Sequence, residues 1–270
     1  INIMIKLTTQ QLAQILNANL IGDGQAVVEN INTDTRKSVS NSLFFALKGE
    51  HFDAHQYLDK AVEQGATALV VQQANTEIAT PQLVVADTRL ALGQLAKWLR
   101  EKINPRTVAM TGSSGKTTVK EMTASILQQT AGNPEAVLFT NGNFNNDIGV
   151  PLTLLRLTEQ HKFAVIELGA NHQGEIDYTT HLAQPEAALV NNVAAAHLEG
   201  FGSIEGVARA KGEIYRGLTQ NGVAIINNEH NYIELWQKEI GSHAIQYFNG
   251  GDYKAENVKH SRSEEHTSEL

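Results

Sequence analysis

The residues best suited to chemistry in this chain are Gly112-Ser113-Ser114-Gly115-Lys116-Thr117-Thr118. Glycines let backbone N–H groups turn toward an anion. The Lys116 ammonium can reach terminal phosphates, and the Thr117 hydroxyl can ligate Mg²⁺. Such a stretch works only between a strand and a helix N-terminus, whose amides and partial positive charge favour phosphate. Both neighbours are legible. Thr107 to Met110 is apolar and β-branched and reads as a buried strand. On the far side Val119, Met122 and Ile126 recur at helical spacing, which predicts an inward helical face. Met110 stands where the commonest phosphate loop has its first glycine, five residues before Gly115, so the spacing is a tighter variant. A Gly/Ser turn carrying a solvated lysine is the alternative.

In doubly wound sheets, ligands collect at the carboxyl ends of strands. Glu167 stands near the end of the apolar run Phe163–Leu168. A carboxylate beside a triphosphate suits Mg²⁺, although one in that place can also cap the following turn. His197 follows the run Ala187–Val193, and Lys211 falls within a helix expected over Ile204–Leu218. Taken alone, such a histidine reads as structural and such a lysine as solvated. The stretch Thr140–Pro151, with Asn143, Asn145 and Asn146, is dense in Asn and Gly. It reads as a turn-rich loop or as a set of amides for a polar ligand.

These groups need a scaffold. From about residue 87 strands and helices alternate, with a third strand expected over Gly222–Ile226. That rhythm predicts an α/β fold: a mostly parallel, doubly wound sheet with helices on both faces. Residues 1–86 read as a smaller α/β domain. In it Thr8 and Gln11 resemble a capping box, and Leu43–Leu47, Ala68–Val71 and Leu83–Val85 read as buried strands. A domain boundary is expected near Ala86-Asp87, giving domains over 1–86 and 87–260. The polar end, Ser261–Leu270, has no helical or strand period and resembles a translated library adapter, so it is set aside. The chain opens on Ile1, with Met4 the better start, which suggests a fragment.

With 270 residues, a formal net charge of −8 and no basic run, the chain does not read as a general nucleic-acid or membrane-surface binder. It has no cysteine, which excludes disulfides and thiolate metal sites and is compatible with a reducing cytosol. No apolar run is long enough to cross a bilayer, and no signal-peptide pattern opens the chain.

In combination, Thr111–Thr118, Asn143–Pro151, Glu167–Glu175, Ala196–Gly202 and Ala210-Lys211-Gly212-Glu213 resemble the Mur ligase family over roughly residues 4–260. The branch resembled most joins D-alanyl-D-alanine to UDP-N-acetylmuramoyl-tripeptide, in peptidoglycan precursor synthesis in the cytoplasm. The resemblance implies a nucleotide-sugar domain, an ATP-binding central domain and a third domain that this chain lacks. It implies ATP and Mg²⁺ as cofactors, small-molecule substrates as partners and a monomer. Residues 112–118 with Asn143 and Asn146 match the ATP cradle. Thr117 and Glu167 match ligands of Mg²⁺ between the β- and γ-phosphates. His197 matches a histidine near a second Mg²⁺, and Lys211 a lysine that becomes carbamylated and ligates metal. Lys116, His197 and Lys211 are the implied catalytic residues. Thr35, Arg36, Lys48, Asp53 and His55 fall in the implied nucleotide-sugar site. There the chain departs from the family pattern at Asn41-Ser42 and at Ala54. Two other readings stand beside this one: a binding unit without catalysis, and a ligase for another carboxylate such as folate.

Overall fold

Thr8 opens the first helix as its spacing predicts. Its hydroxyl accepts the Gln11 N–H, and the Gln11 side chain accepts the Thr8 N–H in return. The computed structural model describes residues 6–195, 198–229, 232–253 and 256. In chain order the first region holds β1 (Leu7–Thr8), α1 (Thr9–Leu16), β2 (Asn19–Ile21), β3 (Val27–Val28), β4 (Asn30–Asn32), β5 (Ser42–Phe45), α2 (Leu58–Glu63), β6 (Ala66–Val71) and β7 (Gln82–Val84). β2, β7, β6, β5 and β4 lie side by side in that order. β2 is antiparallel to β7 and the rest are parallel. β1 pairs separately with β3.

α3 (Thr88–Ile103) follows, and then the second region alternates: β8 (Arg106–Thr111), α4 (Lys116–Ala131), β9 (Val137–Phe139), α5 (Gly149–Leu154), β10 (Phe163–Glu167), α6 (Glu175–Ala183), β11 (Ala187–Val190), α7 (Leu198–Phe201), α8 (Ile204–Gly212), β12 (Val223–Asn227), α9 (Ile233–Ile240) and β13 (Ala244–Phe248). The six strands run β13-β12-β11-β8-β10-β9, with every pairing parallel. The order places β8 in the interior with β11 and β10 on its two sides. The loops leaving these three strands therefore meet at one edge, where a ligand crevice is expected.

Alternation along the strands sends side chains to opposite faces. Val108, Met110, Val137, Val165 and Leu189 pack with Ala124 and Leu127 of α4 on one face. Ala109, Leu138, Ala164, Ile166, Ala188 and Ile226 pack on the other with α5, α6 and Trp236. Of the expected apolar face of α4, Val119 packs against the sheet, and the rest is corrected here. Met122 and Ile126 point to solvent, at 61% and 63% exposure, and the buried residues are Lys120 and Ala124. Lys120 can be buried because its ammonium donates to the Thr140 carbonyl at 2.8 Å and pairs with Glu121 at 2.8 Å. The helix expected over Ile204–Leu218 is also divided. α8 ends at Gly212, and a 3₁₀ turn takes Glu213–Gly217.

The expected boundary near Ala86-Asp87 falls at the start of α3, where the Asp87 carboxylate caps the Arg89 and Leu90 N–H groups. α3 contributes Leu92, Leu95, Ala96 and Leu99 to a core that runs without a break from Leu12 and Phe45 to Leu138 and Ile176. Polar contacts fix it on both sides. Thr88 donates to the Ala46 carbonyl and Gln94 to the Ile15 carbonyl, each at 2.8 Å. The buried Arg100 guanidinium donates to the carbonyls of Ala183 and Gln184, at 2.7 and 2.8 Å, and so closes the C-terminal end of α6.

Candidate active site

The turn after β8 is shaped by backbone approach. Gly115 has φ of 70°, and a Cβ there would meet the Asn191 amide at 3.0 Å. A Cβ on Gly112 would lie 3.0 Å from Asn191 Cβ. The two asparagines following β11 brace the turn from beside it. Asn192 Oδ1 accepts the N–H groups of Ser113 and Ser114 at 3.1 and 3.0 Å, and Asn191 Nδ2 donates to the Ser114 carbonyl at 3.0 Å. Two amides of the turn are thus held by protein. The next ones differ: α4 begins at Lys116 behind Gly115 with no side-chain cap, so the Lys116, Thr117 and Thr118 N–H groups open the helix unpaired within it. This is the anion-accepting end of a helix. The Lys116 ammonium lies over the turn, donating to the Gly112 carbonyl at 2.9 Å.

Glu167 stands at the carboxyl end of β10, only 2% exposed. Thr117 Oγ1 donates to its Oε2 at 3.1 Å, and Asn145 Nδ2 to its Oε1 at 2.8 Å. Its own N–H donates to Thr140 Oγ1. The expected pair of oxygen donors, Thr117 and Glu167, is therefore assembled beside the cradle. Among the described residues, no group of three or more His, Cys, Asp or Glu side chains could hold a metal. His197 lies outside the described residues, as does the tail 261–270.

Lys211 is buried, at 2% exposure, against the ring of Phe201. No hydrogen bond or ion pair to its ammonium forms among the described residues. Burial, and then the charge of Lys116, pulls its pKa down from 10.5 to about 8. Lys116 and Lys211 both line a cavity of about 380 Å³, along with Asn143, Asn145, Asn171 and Glu175. Asn146 reaches the same cavity, but its Oδ1 accepts the Ile148 and Gly149 N–H groups at the start of α5. The Glu213 carboxylate, two residues beyond Lys211, accepts the N–H groups of Gly174 and Asp177 at 2.8 and 3.0 Å. It thereby caps α6 and ties α8 to it, and burial raises its pKa despite those bonds.

The residues expected to form one nucleotide-sugar site are split between two clefts, both at the carboxyl ends of parallel strands. Thr35 and Arg36 line one of about 520 Å³, with Lys60 and the stacked rings of Phe52 and Tyr57, 5.4 Å apart. Arg36 reaches back to Asp34 in a two-bonded pair, which holds the Asp34 carboxyl down at about 2. Lys48, Asp53 and His55 line the other, of about 510 Å³, with Gln72–Glu77. His55 is tied on both ring nitrogens. Its Nε2 accepts the Gln72 N–H at 2.9 Å, so its Nδ1 carries the proton toward Asp53 Oδ1 at 2.6 Å. Its role in this fold is to join two loops.

Asn191, Asn192 and Lys120 escaped the sequence reading as site residues. The signal available was position: an Asn pair directly after a buried strand.

Comparison with known proteins follows the same pattern. The family model for the Mur ligase middle domain matches residues 110–270, and that for the Mur ligase family catalytic domain matches residues 27–99. The chain is 80% identical over 258 residues to the UDP-N-acetylmuramoyl-tripeptide--D-alanyl-D-alanine ligase of Haemophilus influenzae, covering 96% of this chain and 56% of that protein. The crystal structure of MurF from Acinetobacter baumannii superposes with a TM-score of 0.89 at 44% identity, covering 95% of this chain and 56% of the other. MurF ligase from Thermotoga maritima in complex with ADP superposes at 0.76 with 27% identity, over 86% of this chain and 53% of the other. The chain thus spans a little over half the length of the relatives it matches.

Proposed function

This chain belongs to the Mur ligase family, and we propose that it forms the nucleotide-binding part of an ATP-dependent ligase. The reaction is addition of D-alanyl-D-alanine to UDP-N-acetylmuramoyl-tripeptide. The observation that carries the reading is the uncapped start of α4 beside the Thr117–Glu167 pair. Unpaired amides there make a place for an anion, and hard oxygen donors stand next to them.

Joining a carboxylate to an amine in water is uphill, and the carboxylate oxygen leaves poorly. Transfer of the γ-phosphoryl group to the acceptor carboxylate gives an acyl phosphate. The amine nitrogen then forms the C–N bond as the C–O bond to phosphate breaks. The α4 amides and Lys116 hold the phosphates and offset their charge. Thr117 and Glu167 are oxygen donors that would hold Mg²⁺. When bound, Mg²⁺ neutralises charge developing on the transferred group. Lys211 has the environment a carbamate needs, since CO₂ adds only to a neutral amine and burial favours that form. The clefts at the ends of β4, β5 and β6 are the place for the nucleotide-sugar, with Arg36 and Lys60 available to phosphate and the Phe52–Tyr57 stack to an aromatic ring. The domain limits 1–86 and 87–260 belong to the same reading. Among the described residues no helix is long and apolar enough to cross a membrane.

The test is Lys116→Ala. ATP binding to this chain, read by calorimetry, should weaken by at least about tenfold, as loss of a charge-assisted phosphate contact does. In the full-length protein, phosphate release with all three substrates should disappear. Normal turnover by that variant overturns the assignment.

A further inference from the structure

The geometry points to Glu175 as the residue that receives the amino group of the incoming dipeptide. This inference rests on the ligase reading above. The cavity beside the phosphate turn is lined by the Lys116 ammonium, by Lys211 and by asparagine amides. The ammonium and the amides suit phosphates and carboxylates. Glu175 is the carboxylate among the described residues of that wall.

Its placement leaves it free to bind. Glu175 is the first residue of α6 and is half-buried. Oε2 accepts the Asn171 N–H at 2.7 Å, and Oε1 lies 3.1 Å from His172 Nδ1. An ionised carboxylate has room for about four such bonds, so capacity remains on both oxygens. Burial alone would push its pKa up, but the N–H donors of Asn171 and His172 outweigh burial and keep it below the ordinary range. A helix N-terminus favours the same charge.

The amine substrate supplies the complement. A free α-amino group has a pKa of about 8, so near neutral pH it arrives mainly as an ammonium. Lys116 repels such a cation, and Glu175 attracts it. The carboxylate therefore sets where the amino end of the dipeptide enters, on the same cavity as the lysine that holds phosphate. The role is recognition of charge. Bond formation remains that of the ligation above.

The test uses the full-length protein and Glu175→Gln, which keeps an oxygen for the Asn171 N–H and removes only the charge. KM for D-alanyl-D-alanine should rise by about tenfold or more, the effect of losing a charge-assisted contact. KM for ATP and for the nucleotide-sugar peptide should stay within about twofold. N-acetyl-D-alanyl-D-alanine has no ammonium, so its inhibition constant should be the same for wild type and variant. Glu175→Asp should recover part of the loss. An unchanged KM for the dipeptide overturns the proposal, as does an equal rise in all three KM values, which would mark Glu175 as scaffold. Wild-type protein that releases no phosphate with the three substrates would instead remove the ligase reading itself.

Discussion

Replacing Asn145 by Ala tests how the buried Glu167 carboxylate is held. The amide donates to Glu167 Oε1 at 2.8 Å, and Glu167 is 2% exposed, so water has little access to take over the bond. A hydrogen bond to a charged group contributes about 1.5–3 kcal/mol, and burial places this one toward the upper end. The backbone of Asn145 keeps its own tie, accepting the Gly169 N–H at 2.8 Å, so the alanine variant isolates the side chain. Urea unfolding of the chain should show a loss of about 2–3 kcal/mol. The freed carboxylate oxygen should also lose its orientation toward Thr117. Mg²⁺-dependent ATP binding should then weaken by about tenfold, while binding in excess chelator changes little. Thr117 Oγ1 is the other donor to the same carboxylate, at 3.1 Å. A double-mutant cycle of Asn145→Ala with Thr117→Val should give a coupling above about 0.5 kcal/mol, because the two share one partner. A loss below about 0.5 kcal/mol, with an unchanged Mg²⁺ response, would refute this account of how Glu167 is positioned.

Two further outcomes are expected. Tyr178 OH is buried without a hydrogen-bond partner among the described residues, and a Cβ on Gly93 of α3 would run into it. Gly93→Ala should therefore cost at least about 1–3 kcal/mol, Tyr178→Phe alone should be near neutral, and the double variant should regain part of the loss in thermal unfolding. Lys211 binds its proton less well folded than unfolded, with a pKa of about 8 against 10.5. Between those values the unfolded chain holds more protons, so stability rises with pH across that window, and below pH 8 the full penalty, about 3 kcal/mol, is present. Without metal or nucleotide, Lys211→Met should unfold later than wild type at pH 7, and the difference should shrink toward pH 10. An advantage that does not depend on pH would show that packing, not charge, is responsible.

The strands of the second sheet were legible where buried parallel strands write themselves as apolar runs, as in Phe163–Glu167 and Ala187–Val190. The phosphate turn was legible because its glycines and lysine have few other uses in that context. Misreadings came from polar groups satisfied at a distance. Met122 and Ile126 looked inward because they share a spacing with Val119, whereas the face that packs carries Val119, Ala124 and Leu127, with Lys120 buried through its bond to the Thr140 carbonyl. His55 looked like a ligand contact, and the Gln72 N–H that occupies its Nε2 comes from beyond the next strand. β2, β3 and β4 have two or three residues each, too few to display alternation. The bracing of the turn by Asn191 and Asn192 depends on β11 lying beside β8, which is a fact of topology and not of local sequence.

Because α3 lends side chains to the sheets before and after it, neither sheet owns a complete lining. A cut after Val85 would leave Leu12, Leu16, Phe45 and Val70 facing water, and an excised first sheet would seek another surface to cover them. Trp98 on α3 and Trp236 on α9 both belong to this shared interior, and on heating their fluorescence should change together, since the two sheets have one melting fate.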